Sequence, residues 1–557
     1  MRRWLDSVSH TSVHEVEGRT PENVMEVFEV VIAMLVGGAV LAALARRVGA
    51  PYPALVALAG VVLALIPGVP SLVLDPELAL ALFVAPVLVD AAFDASPRDL
   101  RANWRAVAGL ALGAVALTII MVAVVARLLV PDMPWAVAIA LGAIVAPPDA
   151  AAATTVLKQL RPPHRLLTIL EGESLFNDAS ALLVYRLAVG ATVTGFLSGW
   201  SILPTMLVVT AGSVVLGLVL SRLTLAIVGR IHDVATTVVF QFGWAFGAWI
   251  LAERLHLSGI ITMVVFAMAA SRRAPEIMPA RLRVPSWAVW EVAVFVLNVL
   301  AFILVGFQLK SIASRVVGST RVDYAIMAAV VCLTVIVARF TWITGAAAFS
   351  RWRCRPRSDG TPGPRDAVAL SGPAAVVAGW CGMRGTVTLA AALALPVDFP
   401  FRDLVLSTAF GVTVGTLVLQ GLTLRPLIVH LKLEDDGLVE REVRFARVEA
   451  SRAAVKALAG YPVSEASSLV RSRYEMELRR AEAEIASDGV ASVAHVREVS
   501  SGGNGDAAVV RAAAEAQRAR LLALRAEGRI GDAAFQRIEE ELDWAELGWA
   551  QLFRPGG

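Results

Sequence analysis

Apolar residues along this chain gather into runs that are separated by short polar segments. Each run is roughly 20 residues long, which is the length that a helix needs to cross the hydrocarbon core of a bilayer. The pattern therefore predicts about 13 membrane-spanning helices. The predicted spans cover residues 26–45, 52–68, 76–96, 106–130, 134–157, 167–192, 203–228, 234–253, 257–271, 286–310, 322–349, 371–396 and 403–430.

The composition agrees with this pattern. Apolar residues make up 57% of the chain and charged residues 17%, whereas about 25% of an average soluble domain is charged. One soluble core cannot bury so much apolar sequence, so we predict a lipid membrane as the surroundings and no nucleic acid as a partner. The three cysteines, Cys332, Cys354 and Cys381, show neither a metal-ligand spacing nor a disulfide framework.

Basic residues are concentrated in the odd-numbered loops between the spans. Basic loops stay in the cytoplasm, so we expect a multi-pass protein of the plasma membrane with its N-terminus outside and its C-terminus inside. Near residue 433 the composition changes, and Ala, Glu and Arg become frequent. We therefore predict a polar N-terminal extension (1–25), a transmembrane domain (26–432) and a cytoplasmic helical tail (433–557).

Span six contains the most concentrated group of polar residues, the sequence Glu-Gly-Glu-Ser-Leu-Phe-Asn-Asp at positions 171–178. Ser174, Asn177 and Asp178 stand at i, i+3 and i+4, so they share one face of the helix. A hydroxyl, an amide carbonyl and a carboxylate are hard oxygen ligands, which suit a hard cation. The alternative is a polar stripe that holds two helices together.

The middle of span five, residues 146–150, contains two adjacent prolines followed by an aspartate. Pro147 and Pro148 have no N–H to donate, so they leave helix carbonyls without partners. A broken helix at membrane depth is tolerated where it is buried in protein or lines a cavity. Free carbonyls beside Asp149 would make a cation site; the alternative is a simple proline kink.

Span twelve is predicted to be interrupted near residues 379–386, where three glycines surround Arg384. Spans five and twelve are seven apart, so they run in opposite directions through the bilayer. Interrupted helices at matching places of two inverted halves are the best sequence sign of a transporter site. Arg384 would neutralise the dipole ends of the broken helices, or it would extend to the cytoplasmic surface.

Arg339 lies deep in span eleven, where an unpaired arginine would be very costly. We therefore expect a carboxylate partner and favour Glu173, with Glu171 and Glu291 as alternatives. Asp90, near the end of span three, is either a supporting carboxylate at the entrance to the site or an interfacial residue.

In order and spacing, these motifs resemble those of the monovalent cation:proton antiporter family, which includes the bacterial NhaP proteins and the animal plasma-membrane sodium/proton exchangers. The resemblance spans roughly residues 25–430. It is carried by residues 171–178, 146–149 and 382–386, and more weakly by 290–291 and 304–308.

The resemblance implies an all-α polytopic fold with two inverted repeats and crossed discontinuous helices, in a homodimer whose protomers each have a dimerisation domain and a six-helix core. It implies a secondary transporter rather than an enzyme, with no cofactor, that exchanges Na+ for H+; K+ and Li+ are the alternative cations. The adjacent Asn177 and Asp178 resemble the pair of the electroneutral branch.

The resemblance also implies residue roles. Asp178 would bind either the cation or a proton in an alternating-access cycle. Asp149, Ser174 and the backbone carbonyl of Pro148 would complete the ligand set. Glu173 and Arg339 would form an ion pair in the core.

Two positions depart from the family pattern. Many members have Thr-Asp where this chain has Pro148 and Asp149, so the contact at the break falls to a backbone carbonyl alone. Asp90 stands where many relatives have the longer glutamate.

Two other functional classes fit less of the sequence. An intramembrane aspartyl protease would use Asp149 and Asp178 as a dyad, but the Gly-x-Gly-Asp motif of such proteases is absent around both residues. A cation channel would be expected to show pore loops or rings of carbonyls, and the sequence indicates none.

Overall fold

The computed structural model describes residues 21–48, 50–64, 78, 80–160, 162–194, 199–315, 320–353, 370–433, 435–462, 465–486 and 504–552. Most of the predicted N-terminal extension, residues 1–20, lies outside this range. The described residues are helical and contain no β-strand. The all-α prediction is therefore confirmed.

The helices follow the predicted spans closely. The first half contains α1 (Pro21–Val48), α2 (Tyr52–Ala64), α3 (Ala85–Asp94), α4 (Pro97–Ala102), α5 (Trp104–Ala108), α6 (Val115–Leu129), α7 (Trp135–Val145), α8 (Ala150–Leu160) and α9 (His164–Thr194). The second half contains α10 (Gly199–Val228), α11 (Val234–Arg254), α12 (Gly259–Ile277), α13 (Ala280–Arg315), α14 (Thr320–Arg353), α15 (Gly372–Trp380), α16 (Thr386–Leu393) and α17 (Arg402–His430).

Two short π-helical segments interrupt this pattern, Leu80–Val84 before α3 and Gly109–Ala114 between α5 and α6. By length and composition, six helical stretches of the described residues could cross a membrane. They are Trp104–Leu129, Met206–Val228, Val234–Arg254, Ala280–Leu304, Arg321–Phe349 and Arg402–His430, with Tyr52–Leu63 and Trp135–Val145 as shorter apolar helices. The count of 13 spans stays a prediction.

The membrane helices pack into two groups. One group, which we call the panel, contains α1–α3 and α10–α13, and its closest pairs are α2 with α13 and α10 with α12. The other group, the core bundle, contains α5–α9 and α14–α17, and it is centred on α7, α9, α14 and α17. The two groups meet along α2, α13 and α17.

The tail begins directly after α17. It contains α18 (Leu438–Leu458), α19 (Glu465–Ala486), α20 (Asn504–Ala526) and α21 (Asp532–Leu552). Leu521, Leu524, Phe535 and Ile538 pack with α18 residues in a small apolar core of its own. The predicted division of the chain at residues 25 and 432 remains a prediction.

Candidate ion-exchange site

The core bundle contains the predicted break in span five. Helix α7 ends at Val145, residues 146–149 are not helical, and α8 begins at Ala150. The cause is local, since neither Pro147 nor Pro148 can donate the backbone hydrogen bond that the helix would need there. Both prolines are buried, and Asp149 is partly buried. The backbone is therefore irregular where protein surrounds it, as a membrane requires.

A second break faces the first. Helix α15 ends at Trp380, residues 381–385 are buried and not helical, and α16 begins at Thr386. The two breaks touch through the backbone, because Asp149 N donates to the carbonyl of Met383 at 2.6 Å. The two helix breaks therefore lie against each other at this point, which we call the helix crossing.

Gly385 leaves the space that the Asp149 carboxylate occupies. A Cβ placed on Gly385 would lie 1.7 Å from Asp149 Oδ2, so any larger residue would collide with it. This close approach, rather than chain flexibility, explains the need for glycine at this position.

Arg384 lies in the second break, is 1% exposed and stabilises the first break. Its Nε donates to the carbonyl of Val145 at 2.8 Å, and its Nη2 donates to that of Ala146 at 3.1 Å. Its Nη1 donates to the carbonyl of Gly382. A cation at the carboxyl end of α7 complements the negative end of the helix dipole.

Arg339 lies beside the second break and is buried. Its Nη2 is 2.8 Å from Glu173 Oε2, its Nη1 pairs with Glu173 Oε1, and its Nε donates to the carbonyl of Ala378 at 3.0 Å. Of the three carboxylates considered as its partner, Glu173 is therefore the one in contact. Glu171 lies 3.9 Å from Lys158 Nζ, and Glu291 is exposed.

The polar face of α9 lies against the first break. Asn177 Nδ2 donates to the carbonyl of Pro148 at 2.9 Å, and Asn177 is fully buried. Among the described residues, Asn177 Oδ1 has no hydrogen-bond partner. Asp178 is 8% exposed and lies within electrostatic range of Asp149. Ser174, one turn before Asp178, is partly buried.

Asp90 lies on α3 of the panel rather than in the helix crossing. It is partly buried, and its charged neighbours are Asp94, Lys158 and Glu291. The structure therefore brings together Asp149, Asn177, Asp178 and Pro148 at the crossing, with Arg384 and the Glu173–Arg339 pair beside it. Asp90 stands apart from them.

Tyr52 of the panel lies near this site together with its hydrogen-bond partner, and no sequence pattern singles out either residue. Tyr52 on α2 shares a side-chain hydrogen bond with Asn298 on α13, and it lies within electrostatic range of Asp149 and Asp90. Their sequence signal is weak, because a tyrosine near a helix start and a lone asparagine in an apolar span both have ordinary structural roles.

Comparison with known proteins decides the family. The profile of the family described as "Sodium/hydrogen exchanger, transmembrane" matches residues 31–430. The chain belongs to the sodium/hydrogen exchanger family. This confirms the family that the motifs in spans five, six and twelve indicated, and it identifies the chain as a multi-pass member of a family of cation/proton antiporters.

Several members of the family are similar over most of their length. An uncharacterized Na+/H+ exchanger of Mycobacterium tuberculosis is 29% identical over 440 residues, which are 77% of this chain and 79% of that protein. A sodium, potassium, lithium and rubidium/H+ antiporter of Bacillus pumilus is 28% identical over 458 residues, 78% of this chain and 66% of that one. The low-affinity Na+/H+ antiporter NhaS1 of Synechocystis is 28% identical over 417 residues, covering 72% and 74%.

The fold of this family member is similar to that of a solved antiporter. The sodium proton antiporter MjNhaP1 of Methanocaldococcus jannaschii superposes with a TM-score of 0.56 at 16% identity, over 74% of this chain and 100% of that one. The predicted antiporter fold is therefore confirmed for the membrane part of the chain.

Proposed function

We propose that this family member is a secondary antiporter, and not an enzyme, in which Na+ and H+ compete for Asp178 during an alternating-access cycle. One observation carries the proposal: the Asn177–Asp178 face of α9 lies against the break between α7 and α8. Asn177 fixes the break by donating to the Pro148 carbonyl. Asp178, its neighbour in the chain, then has a fixed position beside the oxygen atoms of the break.

The proposed ligand set contains oxygen atoms only. Asp178 and Asp149 supply carboxylates, Ser174 supplies a hydroxyl, and Pro148 supplies its carbonyl. The buried, unpartnered Oδ1 of Asn177 supports a polar occupant here, because a buried acceptor without a hydrogen bond costs about 1–3 kcal/mol. Hard oxygen ligands bind hard cations such as Na+.

Exchange is proposed to be electroneutral, with one cation for one proton. Asn177 cannot ionise, so the pair holds at most one negative charge. We expect Asp149 to keep its charge because it directly precedes α8, whose N-terminus favours an anion. The core bundle then has the same net charge when it carries Na+ or H+ on Asp178, and the membrane potential does no work on the cycle.

The choice of cation, the orientation and the assembly are also proposals. The Bacillus relative is named for transport of sodium, potassium, lithium and rubidium, so K+ and Li+ should be tested beside Na+. We propose that the tail lies in the cytoplasm, on the evidence of the basic loops. We propose a homodimer because the family resemblance implies one.

The test is proton flux in proteoliposomes, with each cation added in turn and the potential clamped by K+ and valinomycin at either sign. For the K+ arm, the potential is set with a different permeant ion. The wild-type protein should exchange Na+ at a rate independent of the potential, and Asp178→Asn should abolish exchange while it folds normally. Asp323→Asn, which changes an exposed carboxylate at the start of α14, is the matched control.

Each part of the proposal can fail separately. Exchange at the wild-type rate by Asp178→Asn would remove Asp178 from its role. A rate that follows the imposed potential would show electrogenic exchange and would make Asp149 the second proton carrier to examine. Asn177→Asp adds a carboxylate, and it should make exchange sensitive to the potential if the added group titrates.

A further inference from the structure

The four helices of the tail surround a cavity of about 380 Å3, which we call the tail cavity. Each of α18, α19, α20 and α21 contributes side chains to its lining. Its volume lies within the range of sites that bind small molecules, about 300–1,000 Å3. All of its lining residues belong to the tail, so the cavity is separate from the helix crossing.

Three neutral polar side chains of this lining are buried. Ser451 of α18, Tyr474 of α19 and Gln517 of α20 are 4%, 5% and 6% exposed. None of the three side chains forms a hydrogen bond with another residue of the described tail. A buried polar group without a hydrogen bond is unfavourable. The lining therefore favours an occupant that supplies hydrogen bonds to three different helices.

The buried part of the lining stays uncharged at physiological pH. Burial is the main reason that the pKa of Tyr474 is raised to about 12; Glu477 raises it further, while Arg473 opposes the rise. The phenol therefore keeps its proton, and like the serine hydroxyl and the glutamine amide it can both donate and accept. A charged group placed here would lose its hydration without meeting a countercharge. Uncharged hydrogen-bonding groups fit this part of the cavity best.

The more exposed part of the lining is charged, and its charges balance. It contains three arginines and three glutamates, which are Arg447, Arg473, Arg480, Glu477, Glu484 and Glu541. Arg447 lies 3.2 Å from Glu484 and 2.7 Å from Glu541. Arg473 lies 3.0 Å from Glu477. An anion would be repelled by the carboxylates and a cation by the guanidiniums, so the lining favours a ligand without net charge.

Hydroxyl groups fit these ion pairs better than charged groups do. A carboxylate only accepts hydrogen bonds and a guanidinium only donates them, whereas a hydroxyl does both. Neighbouring hydroxyls of one molecule can therefore donate to a glutamate and accept from its arginine while the ion pair stays intact. A zwitterion would have to separate the pairs to place its two charges. Ala450, Ile538 and Leu542 provide an apolar surface for the C–H groups of such a molecule.

We propose that the tail cavity is a binding site for an uncharged, polyhydroxylated small molecule of the sugar or polyol class. Buried, unpartnered hydrogen-bonding groups receive its inner hydroxyls, and balanced ion pairs receive its outer ones. The inference goes beyond ion exchange and does not rest on it, because binding is measured without a cation gradient.

The experiment is equilibrium dialysis of the full-length protein in lipid nanodiscs. Detergents with a sugar headgroup are removed beforehand, since they would compete for the site. Radiolabelled glucose, sucrose and sorbitol are the probes, and glycine betaine and inorganic phosphate are the zwitterionic and anionic comparisons. We expect saturable binding of at least one of the three hydroxylated probes, with one molecule per chain, and at least tenfold weaker binding of betaine and phosphate.

Three variants remove the buried polar groups one at a time. Gln517→Leu, Ser451→Ala and Tyr474→Phe should each weaken binding by several-fold to about tenfold, the loss expected for one hydrogen bond. Gln536→Leu, Ser472→Ala and Tyr461→Phe make the same changes at tail residues that do not line the cavity, and they should bind as the wild type does. Amide hydrogen exchange of α18–α21 checks that each variant is folded.

Three results would overturn the proposal. The first is the absence of saturable binding of all three hydroxylated probes, which would leave the cavity to water. The second is binding that the three cavity variants leave unchanged, and the third is tighter binding of betaine or phosphate than of any hydroxylated probe. Tyr474→Phe removes a single oxygen, so it keeps the test valid if the other two variants alter folding.

Discussion

The helix crossing and the tail contact, where α21 of the tail packs on α13, are both organised around buried arginines. They differ in the groups to which those arginines donate hydrogen bonds. At the crossing, Arg339 pairs with one carboxylate, Glu173, and Arg384 donates to backbone carbonyls. At the tail, Arg283 meets two carboxylates, Asp543 and Glu539, as well as carbonyls.

The difference matches what each region has to do. Arg384 donates to fixed backbone carbonyls, and Arg339 forms a bidentate pair with one carboxylate, so each side chain has a single bonded geometry. The broken helices are therefore fixed beside the residues proposed to carry ions. At the tail, two carboxylates share Arg283, so one of them can change its protonation state while the other keeps the contact. We infer that the crossing is rigid and that the tail contact is adjustable.

The largest expected effect tests the rigidity of the crossing. Gly385→Ala would place a Cβ 1.7 Å from Asp149 Oδ2, so the carboxylate must move to another position. We expect nearly complete loss of cation-driven proton flux, because a misplaced ligand group disrupts the site even when the fold survives. Gly372→Ala is the control, since a Cβ there meets nothing within 4 Å. Near-normal flux in Gly385→Ala would show that Asp149 does not need this position.

The next prediction concerns the ion pair between Arg339 and Glu173 beside the crossing. Arg339→Ala leaves Glu173 buried and unpaired, which should lower the free energy of unfolding by about 3–5 kcal/mol. Thermal unfolding in detergent measures this loss. Replacement of both partners, Arg339→Met with Glu173→Leu, should recover most of the stability, because a buried pair contributes little beyond apolar residues of similar size. Full stability of Arg339→Ala with lost transport would instead place Arg339 in the transport cycle.

A smaller loss is expected at the amide that holds the first break. Asn177→Ala removes the donor to the Pro148 carbonyl and should cost about 1–3 kcal/mol in unfolding free energy. Thr413→Ala is a matched control, because Thr413 is equally buried but bonds to a carbonyl of its own helix. Equal losses in the two variants would contradict a special role for Asn177 at the break.

Much of the crossing could be predicted from local sequence. The prolines of span five and the glycines of span twelve located the breaks because those residues alter the backbone wherever they occur. The partner of Arg339 was also among the predicted candidates, since a buried arginine requires a carboxylate and few carboxylates lie in the spans. The partners of Arg384 were less predictable, because every residue has a carbonyl.

The tail contact could not be predicted, because it joins residues 260 positions apart in the chain. Asp543 lies in a segment rich in acidic residues, and Arg283 lies in a segment rich in arginine. No local pattern distinguishes them from solvated neighbours such as Glu540 and Arg281. Only the packing of α21 on α13 shows which pair is buried.

The last prediction tests whether pH adjusts the contact between α21 and α13. Burial is the main reason that the pKa of Glu539 is raised from 4.5 to about 7; Asp543 raises it further, while Arg283, Arg518 and Arg525 oppose the rise. A released Glu539 in water would return toward the ordinary value. The docked tail therefore binds the proton more tightly than the released tail, so docking is strongest below about pH 4.5, weakens as pH rises to about 7, and is constant above.

Amide hydrogen exchange of α21 is measured across this pH range and corrected for the intrinsic pH dependence of exchange. We expect the protection of the α21 amides to decrease as the pH rises. Glu539→Gln is neutral at every pH, so its protection should stay high and change little, whereas Glu540→Gln should follow the wild type. Asp543 keeps its pair with Arg283 throughout, so the main contact of the tail persists while Glu539 titrates. The same pH dependence in Glu539→Gln as in the wild type would assign the sensitivity to another group and leave the tail contact as fixed as the crossing.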